Sequence, residues 1–210
     1  MNVHSQINWR GAAVAGRPRI LSNADLLAAA SRVLVRVGPA RLTLADVAAE
    51  AGLAPPTLVQ RFGSKRGMLL AYAEYVVGTV PPHFRVARTE HASPLAALFG
   101  ALGRVTEGMA TPEALANSLS MLQLDLTDPD FNRHARRYLD TAQAEIRALL
   151  DEAVAAGELA PCDTDRLARA VHTAYNGSLV FWAIHQEGSL DAWVRGDLEV
   201  VLTPYRARLT

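Results

Sequence analysis

The 210-residue chain is half apolar, only 6% aromatic and carries no net charge, with 21 Lys/Arg against 21 Asp/Glu. No apolar run approaches the ~18 residues of a membrane span, and the first residues lack the basic start and apolar run of a signal peptide. A single cysteine, Cys162, leaves no internal disulfide and suits a cytoplasmic protein.

Abundant alanine and leucine with few aromatics favour closely packed helices over a sheet. The zero balance is also unevenly shared. Residues 1–80 hold nine Lys/Arg against four Asp/Glu, and residues 81–210 hold twelve against seventeen. A basic first part suggests that this part alone meets a polyanion, while the acidic remainder needs no more than a solubilising role.

Residues 1–16 show no period and are expected to form a flexible tail. In Gly16-Arg17-Pro18-Arg19 two cations flank a stiff proline, which reads either as an arm along a DNA groove or as a solvated tail. Ser22 and Asp25 then mark a helix start. Leu26, Leu27, Ala30, Val33, Leu34 and Val37 give it one face, and Gly38-Pro39 ends it.

The stretch from Thr43 to Phe62 reads as two short helices around a tight turn. Thr43 can cap a backbone N–H, and Asp46 stands three residues on. Leu44, Val47, Ala48 and Ala51 make a buried stripe, Gly52 stops the helix, and Leu53 plugs the turn. Pro55 and Pro56 suit the first turn of the second helix. Leu58 and Phe62 face inward, leaving Thr57, Gln60 and Arg61 partly outward, side chains able to bond base edges or phosphates. Gly63 breaks this helix and Ser64 caps the next, where Lys65 and Arg66 place charge that a phosphate would balance.

Residues 22–72 closely resemble the DNA-binding domain of TetR-type transcriptional regulators. The likeness is carried by Thr43-Leu44-Ala45-Asp46-Val47-Ala48, Ala51-Gly52-Leu53, Thr57-Leu58, and Phe62-Gly63-Ser64-Lys65 with Met68-Leu69. It implies an all-α fold: residues 17–66 as a three-helix DNA-binding domain with its helix-turn-helix at 43–62, and residues 67–210 as a helical ligand-binding and dimerisation domain. It also implies DNA contacts at Arg17, Arg19, Thr43, Pro55, Pro56, Thr57, Leu58, Gln60, Arg61 and Lys65. Val59 stands where the family usually has Tyr, and Ala54-Pro55 where it often has Ser-Lys, so the backbone contacts of those positions do not carry over.

A fourth helix is expected from Ser64 to Val80, stopped by Pro81-Pro82. Helices follow at 94–110, 112–125 and 128–157, with Pro94, Pro112 and Pro129 near their starts. Asp125, Asp128 and Asp130 lack the spacing of a calcium loop. Two last helices span 163–187 and 189–206. Leu179-Val180-Phe181-Trp182-Ala183-Ile184 covers more than one side of the first, which then needs two partners. The pair resembles the family's dimerisation hairpin, with Leu179, Trp182, Trp193, Leu198, Val201, Leu202 and Tyr205 at the interface; core of a monomer is the other reading.

Catalytic and phosphate-loop motifs are missing, and His83, His91, His172 and His185 have no zinc spacing, so neither enzyme nor metal nor cofactor is expected. An unknown small-molecule effector is expected among Tyr72, Phe99, Met109, Met121, His172, Tyr175, Asn176 and Trp182. Each of these is equally readable as core packing, with His172, Tyr175 and Asn176 on one helical face. The partners expected are double-stranded DNA with an inverted repeat and a second copy of the chain, without a membrane. Two other readings stay open: a small-molecule-binding or catalytic protein with a vestigial helix-turn-helix, and a DNA binder without an effector.

Overall fold

The computed structural model describes residues 21–207. These residues are all-α: α1 (Asn23–Arg41), α2 (Leu44–Glu50), α3 (Pro55–Phe62), α4 (Lys65–Glu90), α5 (Pro94–Val105), α6 (Pro112–Leu119), α7 (Leu122–Thr127), α8 (Pro129–Ala155), α9 (Thr164–His185) and α10 (Leu190–Leu202). A short 3₁₀ turn, Thr203–Tyr205, follows α10, and an isolated bridge pairs Leu159 with Arg206. None of the described helices is long and apolar enough to cross a membrane.

Two apolar clusters organise the chain. In the first, Leu26, Val33 and Leu34 of α1 meet Leu42, Val47 of α2, Leu58 of α3 and Met68 at the start of α4. Phe131 of α8 completes this cluster from outside the first four helices. The second gathers Val80, Phe84 and Ala87 of α4, Leu98 of α5, Ile146, Leu149 and Leu150 of α8, Val171 and Tyr175 of α9, and Leu198 of α10. α4 and α8 each belong to both, so the two helices link the clusters.

Several boundaries differ from the sequence expectation. α1 does not end at Gly38-Pro39 but resumes to Arg41 across a kink, with Gly38 at φ 73°. Asn117 of α6 closes over that kink, its Nδ2 donating to Val35 O (3.0 Å) and Arg36 O (3.1 Å). The expected helix at 112–125 is split into α6 and α7 around Ser120-Met121.

The largest correction concerns α4, which passes through Pro81 and Pro82 and continues to Glu90. Each proline removes an amide donor and normally stops a helix. Here Val80, Phe84 and Ala87 beside them are all buried, so burial of the second half of α4 outweighs the lost hydrogen bonds. Arg88 adds a link from that half to α8, at 3.0 Å from Glu145 and 2.9 Å from Glu152.

Candidate nucleic-acid interface

The turn between α2 and α3 is built by local chemistry. Thr43 Oγ1 accepts from the Asp46 amide (3.1 Å), and Asp46 Oδ2 accepts in return from the Thr43 amide (3.0 Å), a reciprocal cap on α2. Gly52 takes φ +69°, and the Leu53 amide returns to Ala48 O at 2.8 Å. α3 has no side-chain cap at Ala54; Pro55 and Pro56 instead fill positions whose amides have no helical acceptor.

α3 therefore sits with one face in the first cluster and one outside. Leu58 is fully buried, so its side chain seats the helix and faces away from the outer side. Pro55, Pro56, Val59, Gln60 and Arg61 are exposed and Thr57 is half-buried. Val59 is the branched apolar side chain of this outer face, and its exposed methyls are suited to a thymine methyl. Arg61 is partly committed: its Nη1 donates to Leu21 O (2.7 Å) and Asn23 Oδ1 (3.1 Å), tying the end of α3 to the start of α1.

Other cations of this part also have internal acceptors. Glu50 receives Arg32 (2.7 Å) and Arg36 (3.2 Å), and Lys65 Nζ donates to Ala40 O at 2.6 Å. Ser64 caps α4 by accepting from the Gly67 amide at 3.0 Å. Arg17, Arg19 and the expected tail at 1–16 lie outside the described residues.

Arg66 reaches the start of α8. Its Nη2 donates to Asp128 Oδ1 (3.1 Å) and Oδ2 (2.9 Å) and to Asp130 Oδ2 (2.8 Å). The guanidinium also lies 5.7 Å from the centre of the Phe131 ring. Two of the three aspartates weighed as a cation site are thus occupied by an arginine. Hydrogen bonds from Arg66 hold both carboxyls below their usual 3.8. Groups so depressed stabilise the fold above that value and lose their contribution as pH falls through the lowered pKa. Acidification from about pH 5 to about pH 3 is therefore expected to lower the melting temperature of the parent more than that of an Asp128→Asn/Asp130→Asn variant. Equal shifts in thermal scans would contradict this.

A family model described as bacterial regulatory proteins, tetR family, matches residues 26–72. The chain carries a tetR-family DNA-binding domain. Solved tetR-type structures share the fold over most of the chain. A TetR transcription regulator from Haloarcula marismortui is 16% identical with a TM-score of 0.72, over 88% of this chain and 97% of that one. One from Cytophaga hutchinsonii is 14% identical with a TM-score of 0.70, over 90% and 99%. FadR of Bacillus subtilis, solved with stearoyl-CoA, is 16% identical with a TM-score of 0.61, over 87% and 98%. No curated protein matches the sequence.

The residues expected at an effector site are divided between the two clusters. Tyr72 and Met121 pack on the first cluster, where Tyr72 Oη lies 3.3 Å from Ser31 Oγ. Phe99, Met109, Tyr175 and Trp182 belong to the second, and His172 is buried on the same helix as the last two. Tyr175 Oη donates to Leu102 O at 3.3 Å, and burial pushes its pKa well above 10 while lowering that of His172. Asn176 is a correction: it is exposed and its Nδ2 is spent on His172 O of its own helix, at 2.8 Å. Phe99 and Trp182 do meet, lining a groove of about 400 Å³ between α5 and the α9–α10 turn with Gly103, Leu190, Val194 and Arg195. The Arg195 guanidinium covers the Phe99 ring at 5.0 Å.

Among the residues expected at a dimer interface, Leu179, Trp182, Leu198 and Leu202 are buried within the chain, holding α9 to α10. Trp193 and Val201 are half-buried against the same cluster, and Tyr205 is exposed at its edge. The apolar side chains left outside are Phe181 (57% exposed), Ile184 (69%) and Val200 (74%), with Val180 beside them. The sequence marked 179–184 as two-faced without showing which residues lay on the second face.

Proposed function

We propose that the chain is a homodimeric transcriptional regulator, most often a repressor in proteins of this kind, whose DNA binding is released by a small-molecule ligand. Residues 17–66 serve as the reading head and residues 67–210 as the effector-binding and dimerisation part. The observation that carries this reading is α3 itself: a proline-started helix whose inner side is locked by Leu58 and whose outer side presents Pro56, Val59, Gln60 and Arg61. A single helix of 8 residues offers few base contacts. Two copies on a two-fold axis read an inverted repeat with half-site centres about 34–36 Å apart.

In this reading Thr57, Val59, Gln60 and Arg61 touch bases, while Thr43, Lys65 and the Arg17/Arg19 arm anchor phosphates. Gln60→Ala is expected to relax sequence preference at one position per half-site, by about 1–3 kcal/mol. Lys65→Ala is expected to weaken all duplexes alike and to flatten the salt dependence by about one unit per protomer. Binding measured on a panel of single-base operator variants separates the two. The effector site is assigned to the groove between α5 and α10, where Phe99 and Trp182 offer apolar surface. A ligand that binds better to the conformation with misplaced heads shifts the population away from DNA. Repeated selection from random duplexes tests the reading: it should enrich a palindrome, and enrichment of none would sink it.

A further inference from the structure

We propose that Arg66 is a phosphate contact held in reserve, and that Asp128 and Asp130 occupy it in a phosphate's place while no DNA is bound. This rests on the DNA-binding reading above. The first turn of α4 contains no acid, so its positive dipole end and Arg66 are balanced by carboxylates from another element. A DNA phosphate offers the same acceptor oxygens and the same sign of charge.

The geometry suits an exchange. All three hydrogen bonds leave from Nη2, and Arg66 Nε and Nη1 have no acceptor among the described residues, although the side chain is 52% exposed. Phe131, buried in the first cluster, supports the guanidinium and can keep doing so while the nitrogens change partners. Lys65 differs, because its acceptor, Ala40 O, belongs to the reading head itself.

The acids lie at the α7–α8 corner, outside the head, so a shift of α8 against α4 alters how firmly Arg66 is held. Arg133 bonds Asp130 Oδ1 at 2.9 Å, so the group contains two cations and two anions. Neutralising both acids leaves two positive charges next to the start of α4, one of them released.

Anisotropy of a labelled 30-base-pair duplex of mixed sequence (about three helical turns), titrated across a salt series, tests this. The variants are Asp128→Asn/Asp130→Asn, Arg66→Ala, and the triple combination; Asn still caps α8 at position 128. The double variant should bind about 3–10-fold tighter, with a log–log salt slope steeper by about one per protomer, about two for the dimer. The triple variant should fall back to the affinity of Arg66→Ala. Unchanged or weaker binding by the double variant overturns the proposal, because it makes the acid pair a simple strut. A triple variant that keeps the gain also overturns it, because the gain then comes from removed repulsion alone. A parent that binds no duplex at low salt overturns the DNA-binding reading as well, whereas a parent that binds without gain in the double variant overturns this proposal only. Should the double variant lose its helical signal, Asp130→Asn alone takes its place, since it leaves the α8 cap intact.

Discussion

Phe181→Glu combined with Ile184→Glu is expected to give a folded monomer that has lost tight DNA binding. Both side chains project from α9 away from the core, at 57% and 69% exposure, so the folded chain does not depend on them. Val180 of α9 and Val200 of α10 are exposed as well. Burying one such side chain contributes about 1.5–3 kcal/mol, and a two-fold axis doubles every contribution. Four such side chains, two per copy, then supply roughly 6–12 kcal/mol, of the same order as the cost of association, about 4–15 kcal/mol. Four buried carboxylates without partners would cost several kcal/mol each. Without the second head, the loss of effective concentration lowers apparent affinity by about 10²–10⁴-fold. Sedimentation and anisotropy on a selected duplex check both halves. A double variant that sediments as a dimer would show that the copies meet elsewhere.

Gly67→Ala is expected to damage the reading head itself. A Cβ at this position would stand 2.2 Å from the carbonyl oxygen of Phe62, the last residue of α3. That oxygen already accepts from the Ser64 amide at 2.8 Å, so it is fixed by the turn between α3 and α4. The contact must open by roughly an ångström, an overpacking that costs about 1–3 kcal/mol. The displaced element is α3, and the proposed dimer would carry the error twice. A melting temperature lower by several degrees and DNA binding weaker by about tenfold or more are expected. Gly78→Ala is the control. It lies in the same helix with nothing within 4 Å of its Cβ, so it should stabilise by about 0.4–1 kcal/mol. Equal effects of the two substitutions would remove the steric argument.

What was legible from residues alone was the local chemistry of the head. Thr43 and Asp46 cap each other at a spacing of three, Gly52 and Gly63 both take positive φ, and Pro55-Pro56 begin α3. Each signal is complete within a few positions. The course of α4 was not legible, because Phe84 and Ala87 hold the helix beyond its prolines through packing against distant elements. Arg66 meets its aspartates across more than sixty positions, which leaves no periodic trace. His172, Tyr175 and Asn176 share a helical sector by spacing, yet the edge of the buried stripe passes between them and leaves Asn176 outside. On α9 the pattern announced two apolar sides; only the position of α10 decides that Leu179 and Trp182 are covered while Phe181 and Ile184 are not.

Pro81 and Pro82 leave the carbonyls of Val77 and Gly78 without their usual rungs four residues on, near the midpoint of α4. A rod missing two adjacent rungs yields there before it yields elsewhere. Arg66 and Glu74 tie the first half of α4 to the start of α8, and Arg88 ties the second half to it further along. The missing rungs lie together on a helix shared by both clusters, so strain that reaches α4 is expected to appear there as bending.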